Sequence, residues 1–377
     1  MNFDLSQEQK DLQALAAKIF TDLVPADRLP DFEDPQDWHD AKLWSELAKS
    51  SLLGIGIPEE LGGAGMGIAE LCGLLEEAGR RLAPAALLPT LVLGAQPIVE
   101  FGTDAQKRTL LPAVANGKSI LTAALAEEGL RDPLAPATRA RRDGSAWKLD
   151  GAKAYVPAAS LASHILIPAR TDDSKTAVFI VERGATGVSL EAQATTTGEL
   201  EYRVTLAGVT VADSAKLGDG KRDTEILPWM IARTVAALCA TELGVADRAL
   251  RMTAEYTASR KQFGKPIATF QAVAQRAADA YIDLEAMRLS AQQAIWRLAS
   301  GRDAERELAI AKFWAAEGGH RVCYAAQHLH GGIGVDTDYP LHHYYLKSRH
   351  IELTLGGSHT HLMSLGERLA GAATPAG

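Results

Sequence analysis

Along the first part of the chain, apolar residues return every three or four positions, the spacing of one buried helix face. QKDLQALAAKIF and HDAKLWSELAKS carry this pattern most clearly, and Asp37 or Asp40 can cap the second of them. The segment GIPEELGGAGMG (Gly56 to Gly67) interrupts it with glycine, and a new helix is predicted from about Ile68 to Arg81. The most apolar stretch, Leu82 to Val99, carries no charge but is broken by Pro84, Pro89 and Pro97. That reads as a buried loop and helix pair rather than a membrane span.

From Ser119 the period changes to that of strands. SAWKLDGAKAYV, HILIPAR, TAVFIVE, VSLEA and YRVTLAGVTV are short alternating or wholly apolar runs, with turns predicted at Asp143-Gly144 and Asp150-Gly151. From Arg222 the helical period returns in long alanine-rich runs, Leu227 to Ser259, Phe270 to Ala299 and Asp303 to His328, with a shorter element after Pro340. Long helices with short connections predict a four-helix bundle. The pattern therefore divides the chain into an N-terminal helical domain (1–118), a middle β domain (119–221) and a C-terminal helical bundle (222–377) of an α+β protein.

Composition changes this picture little. The chain has 377 residues, 47% hydrophobic and 23% charged, enough for two or three domains with sizeable cores. A net charge of −8 and the lack of any strongly basic stretch argue against a general nucleic-acid or anionic-membrane surface. Cys72, Cys239 and Cys323 lie far apart in apolar surroundings, which offers neither metal spacing nor a disulfide framework and fits a reducing cytosol. The start, MNFDLSQEQKDLQALAAKIF, has no basic region leading into an apolar run, so a cytoplasmic protein is expected.

Candidate chemistry emerges from several segments taken together and in order. GIPEELGGAGMG resembles the glycine-rich loop of the N-terminal domain of acyl-CoA dehydrogenases. RKQFGKPIATFQAVAQRAADA (Arg260 to Ala280) resembles that family's C-terminal signature, and HLHGGIGVDTDYPLHHYYLKSR (His328 to Arg349) its Gly-Gly signature and Tyr-Pro turn. VTVADSAKLG, at the exit of the β domain, is also similar. The resemblance covers nearly the whole chain. It implies an N-terminal helical domain, a middle β domain, a four-helix bundle, and FAD-dependent dehydrogenation of acyl-CoA thioesters between the α and β carbons. In that family a glutamate removes the α-proton, and each FAD lies between two subunits. One provides the flavin crevice, while the other holds the ADP portion.

The resemblance implies a retained ADP half-site. Arg260 is the signature arginine, whose planar, permanently charged fork of donors suits a pyrophosphate. Phe263 supplies an apolar surface near the cofactor, and Gln271 fills the signature's glutamine position. Gly331 and Gly332 admit close backbone approach without a Cβ. His328 stands where the family usually has glutamine, with Gln327 beside it. Taken singly, Arg260 reads first as a surface helix residue, Phe263 as core and the glycines as a helix stop, and their joint spacing inside the two signatures reverses this.

Other parts of the family pattern are missing. The usual glutamate position falls at Leu355 or Gly356 of IELTLGGSHTHL, neither of them a base. A second family position, on the long helix roughly seven turns before the signature arginine, falls at Thr234. Glu352 and Glu242 lie nearby and read first as paired or solvated helix carboxylates. On the flavin side AEEGLRDP (Ala126 to Pro133) replaces a threonine- and serine-bearing loop, leaving Ala126 and Asp132 at those positions. YVPAA puts Tyr155 and Pro157 where tryptophan and a flavin-bonding threonine are usual, and proline offers neither hydroxyl nor N–H.

Losses confined to one half-site predict a hetero-oligomer. This chain would be the subunit without catalytic residues in an α2β2 acyl-CoA dehydrogenase, lending its ADP half-site to FAD in a catalytic partner. The segment YPLHHYYLKSRHIELTLGG resembles partner subunits that process CoA-activated steroid side chains. The resemblance further implies an acyl-CoA substrate and an electron-transfer acceptor, with no metal, nucleic acid or membrane. Two alternatives stand beside it: a self-sufficient homotetrameric dehydrogenase with Glu352 or Glu242 as relocated base, and a binding or scaffold protein on the same fold.

Overall fold

The computed structural model describes residues 3–25, 38–130 and 132–373. An N-terminal helical region leads into a β-sheet domain and then a C-terminal helix bundle, the architecture the hydrophobic periods predict. By its contacts the chain forms two compact units. One joins the first helix, Cys72–Ala83 and the chain from Val235 onward; the other holds Pro84–Thr234 and the residues preceding Cys72 that follow the first helix.

The sheet-bearing unit begins with α2 (Ala41–Lys49). Asp40 caps it by accepting from the Lys42 and Leu43 amides at 2.8 and 2.9 Å, whereas Asp37 lies outside the described residues. Leu43, Trp44 and Leu47 make its buried stripe, and the Trp44 indole donates to the Gly117 carbonyl at 2.9 Å. Leu88–Ala95 is a buried π-type helix that runs into α4 (Gln96–Phe101), and α5 (Asp104–Ala115) follows behind a Thr103–Gln106 capping box.

Seven strands form one sheet: β1 (Leu121–Ala123), β2 (Arg139–Asp143), β3 (Ala146–Pro157), β4 (His164–Thr171), β5 (Thr176–Glu182), β6 (Val188–Gln193) and β7 (Glu201–Ala212). β4 runs parallel to β1 and β2 and antiparallel to β5, and β2, β3, β7 and β6 follow in antiparallel sequence. Asp143-Gly144 makes the predicted β2–β3 turn. Asp150-Gly151 does not turn the chain. It lies inside β3 at a register shift opposite β7, where the Gly208 amide donates to the Asp150 carboxylate at 2.7 Å. A carboxylate available to a bulge and one available to a turn look alike in sequence.

The other unit is helical. α1 (Gln7–Leu23) opens on a Ser6–Gln9 capping box and buries Leu12, Ala16, Ile19 and Phe20. The bundle holds the later part of α6 (Asp223–Ser259), α7 (Gln271–Ala299), α8 (Glu305–His330), α9 (Leu341–Leu353) and α10 (Ser358–Ala373). Leu243, Ala246, Ala280, Leu284, Met287, Val322 and Ala325 meet in its core. α3 (Ile68–Arg81) crosses α6 backbone to backbone: a Cβ at Gly79 would sit 2.2 Å from the Thr241 oxygen, and one at Gly244 1.9 Å from that of Glu76. Beside this crossing, buried Asp247 accepts from Arg80, from Arg251 at 2.8 Å and from Arg288 at 3.4 Å. α6 is long and apolar enough to span a membrane, but 67% of its most apolar window is buried inside the fold, so core packing accounts for that composition.

Candidate cofactor half-site

The C-terminal signature folds into a small projecting hairpin. α6 ends at Ser259, and the Arg260 amide closes its last turn on the Tyr256 carbonyl at 2.8 Å. Strands β8 (Lys261–Gln262) and β9 (Lys265–Pro266) then pair across Phe263-Gly264, both with positive φ (53° and 80°), as a tight hairpin turn requires. Phe263 is thereby thrust outward, 93% exposed, touching only the edge of Phe270 at a ring separation of 6.2 Å. Arg260 is exposed and makes no ion pair among the described residues. Gln271 is the exposed first residue of α7.

The second signature lies where α8 ends. Gly331 (φ +68°) and Gly332 are exposed, and a Cβ on either would meet nothing within 4 Å. His328 is exposed on the last turn of α8. His330, by contrast, is buried. Its ring stacks on Tyr256 at 4.4 Å and 18°, which brings the glycine pair to the end of α6 that carries Arg260. Next to this stack, Tyr256, Tyr339, Arg248, Met252, Glu255 and Tyr344 are among the residues lining a recess of about 330 Å³. An unpaired guanidinium, an exposed aromatic ring and an open Gly-Gly backbone are together suited to an anionic, partly aromatic ligand such as a dinucleotide.

The positions that resemble the flavin crevice are self-satisfied. Ala126 pairs with Ala154 in an isolated bridge, and Asp132 accepts from the Leu134 amide at 2.9 Å. The Tyr155 amide donates to Gln193 at 2.7 Å, and the Pro157 carbonyl accepts from the Thr122 hydroxyl at 2.7 Å. Glu127, next to Ala126, is a buried carboxylate that sequence reasoning passed over. It accepts from Lys153 at 2.6 Å, from the Ala137 and Thr138 amides and from the Thr138 hydroxyl. Burial pushes its carboxyl up, but Lys153 and Thr138 more than offset this and leave it below the usual range. The start of this loop is tied to β3 by a buried ion pair.

The candidate bases fare differently. Glu352 is ion-paired with Arg349 and lies 3.5 Å from His320. Thr234 is buried and donates to the Met230 carbonyl at 2.8 Å. Glu242 is neither ion-paired nor solvated. It is fully buried, its Oε1 accepts from Ser348 at 2.6 Å, and its Oε2 has no partner. Burial raises its pKa to about 8, against the opposing pull of Ser348, Lys312 and Lys347, so it carries a proton at neutral pH. A Cβ at Gly319 would fall 2.2 Å from its Oε1, which shows how closely the bundle encloses it.

Leu355 and Gly356, at the usual base position, form a turn with left-handed backbone (φ 56° and 95°). Lys312 holds this turn. Its buried ammonium donates to the carbonyls of Ile351, Glu352 and Gly356 at 2.9, 3.0 and 3.0 Å, using all three protons. Burial lowers its pKa to about 8, still protonated at neutral pH. The sequence signal was a lone lysine in the apolar run AIAKFWAA.

The N- and C-terminal domain profiles of the acyl-CoA dehydrogenase family match residues 6–118 and 227–370. The acyl-CoA dehydrogenase FadE27 of Mycobacterium tuberculosis is 36% identical over 98% of this chain and 99% of its own length. This chain belongs to the acyl-CoA dehydrogenase family. FadE28 of the same organism is 37% identical over 86% of this chain and 91% of its own. Among solved structures, a chain of a variant of the Tcur3481–Tcur3483 steroid acyl-CoA dehydrogenase superposes with a TM-score of 0.90 at 44% identity, covering 98% of this chain and 99% of that one. A chain of the ChsE4–ChsE5 complex from Mycobacterium tuberculosis gives 0.90 at 36% identity, with both chains fully covered. The family's fold is a flavin-binding one.

Proposed function

We propose that this chain is the non-catalytic subunit of a heteromeric acyl-CoA dehydrogenase that introduces an α,β double bond into the CoA thioester of a steroid side chain. One observation carries the reading. At the bundle end the Arg260 guanidinium and the Phe263 ring are exposed and the Gly331-Gly332 backbone is open to approach without a Cβ, whereas the backbone groups at Tyr155 and Pro157, on the corresponding flavin side of the β domain, are bonded within the chain. Arg260, Phe263, Gln271, His328, Gly331 and Gly332 then serve the ADP portion of FAD held in the crevice of a catalytic partner. FAD, when bound, supplies the hydride acceptor. Arg260 contributes charge-assisted hydrogen bonds to the pyrophosphate, and the glycine pair allows main-chain approach.

Two further facts support assembly with a partner. Tyr281, Ile282 and Leu289 on α7 are each more than half exposed, an apolar surface of the kind that partner chains cover. Both structures described above are named as pairs of proteins, one of them called a steroid dehydrogenase. The test is FAD content after purification. Expressed alone the chain is expected to carry little FAD and to reduce no dye with acyl-CoA, and co-expression with its catalytic partner is expected to give a yellow, active complex. Stoichiometric FAD with turnover from the pure chain would instead support a self-sufficient homo-oligomer. The raised pKa of Glu242 favours that second reading, but complete burial denies this carboxyl a substrate.

A further inference from the structure

Arg260 and the Gly331-Gly332 pair are far apart in sequence, and a half-site built from both needs something to fix their spacing. Among the described residues no backbone hydrogen bond joins the two pieces: the Arg260 amide is bonded to Tyr256 and its carbonyl to the Ile267 amide, and the Gly331 amide is bonded to the end of α8. The side chain that joins them is His330. Its ring lies 18° from parallel with that of Tyr256, one helical turn before Arg260, at 4.4 Å between centroids. Its Nδ1–H donates to the Ala326 carbonyl at 2.8 Å, one helical turn earlier on α8. That fixes the tautomer, so Nε2 accepts from the Tyr339 hydroxyl at 3.3 Å. Tyr339 lies beyond the glycines, in the loop leading into α9.

We infer that His330 is the positioning residue of the nucleotide half-site, with Tyr256 and Tyr339 as the two sides of its clamp. The inference rests on the half-site reading given above. The other uses of a histidine are closed here: both ring nitrogens are engaged, and only 4% of the residue is exposed, so it neither ligates a metal nor touches the nucleotide. Its location leaves a mechanical role. It stands immediately before Gly331 and is clamped between the helix that ends in Arg260 and the loop that closes behind the glycines. Tilting this ring would move the glycine backbone relative to the arginine while leaving each ligand-facing group chemically intact.

The experiment uses the co-purified complex with its catalytic partner, stripped of flavin and titrated with FAD. His330→Phe keeps the ring for stacking and removes both polar anchors. Tyr339→Phe removes one hydroxyl, and Arg260→Ala tests the half-site itself. His330→Phe is expected to weaken FAD binding roughly tenfold and Tyr339→Phe about threefold, the effects of losing two neutral hydrogen bonds and one. Complex mass should stay unchanged, and saturating FAD should restore turnover. If Arg260→Ala weakens FAD binding but His330→Phe in an intact complex does not, the positioning role is overturned and the half-site stands. If neither does, both fall. Should His330→Phe block assembly, Tyr339→Phe decides alone: an unchanged FAD affinity overturns the inference.

Discussion

The β-domain positions that resemble the flavin crevice and the bundle end that resembles the ADP site differ in what they do with polar groups. At Asp132, Tyr155 and Pro157 the polar atoms described are matched inside the chain, and beside Ala126 a buried Glu127–Lys153 pair ties the loop down. At Arg260 and Gly331-Gly332 the guanidinium is exposed with no ion pair among the described residues, and the glycine backbone is open to close approach. Internal matching stabilises a fold, and unmatched capacity is available to a ligand. Where a chain matches its own polar groups in this way, it leaves little for a ligand to bind. The bundle end is set apart by the groups it leaves open.

Substitutions can separate these two economies. The largest effect is expected from Lys153→Met, which strands the Glu127 carboxylate in the β domain: about 3–5 kcal/mol of stability by denaturant unfolding, with FAD affinity of any assembled complex unchanged. A deficit under 1 kcal/mol would mean that the loop is not held by this pair. Arg260→Ala reverses the pattern. FAD affinity of the complex is expected to fall by roughly tenfold to a hundredfold, while stability of the isolated chain moves by at most about 0.5 kcal/mol. Arg260→Lys should recover only part of the affinity, since a point charge lacks the two-pronged geometry.

Glu242 sharpens the comparison from inside the bundle. Its folded pKa of about 8 lies above the carboxylate's ordinary value of 4.5, so between these values the folded chain keeps a proton that the unfolded chain has released. Stability is then lost as pH rises through that window, by up to about 1.4 kcal/mol per unit. Glu242→Gln does not titrate, so its stability relative to the parent should improve steadily from pH 5 to pH 8. Parallel pH profiles would show that the carboxyl ionises freely. The smallest effect belongs to Phe263→Ser. The isolated chain should hardly notice, within about 0.5 kcal/mol, while the complex loses FAD affinity or assembly; no change in either would remove Phe263 from the site.

Periodicity made the architecture legible because each helix buries one stripe and each strand alternates: α7 begins one residue after the predicted Phe270, and α8 runs two residues past the predicted His328. Local signatures likewise pointed to Arg260, Phe263 and the glycine pair, since a hairpin turn and a helix end are encoded within a few residues. What stayed hidden depends on partners distant in sequence. Nothing near Glu127 announces Lys153, nothing near Glu242 announces Ser348, and His330 gains its role only when Tyr256 and Tyr339 fold against it. Asp150-Gly151 was misread for the same reason, because its partner, the Gly208 amide, lies on another strand.

Lys312 grips the Leu355–Gly356 turn by main-chain oxygens alone, and the His361 ring lies 3.0 Å from the Leu355 carbonyl. No side chain of the turn takes part in this grip. The grip on the turn thus does not depend on whether position 355 bears a proton-accepting group or an inert one. Main-chain atoms alone set the architecture of this turn, and the reactivity of the side chain at position 355 is a separate matter.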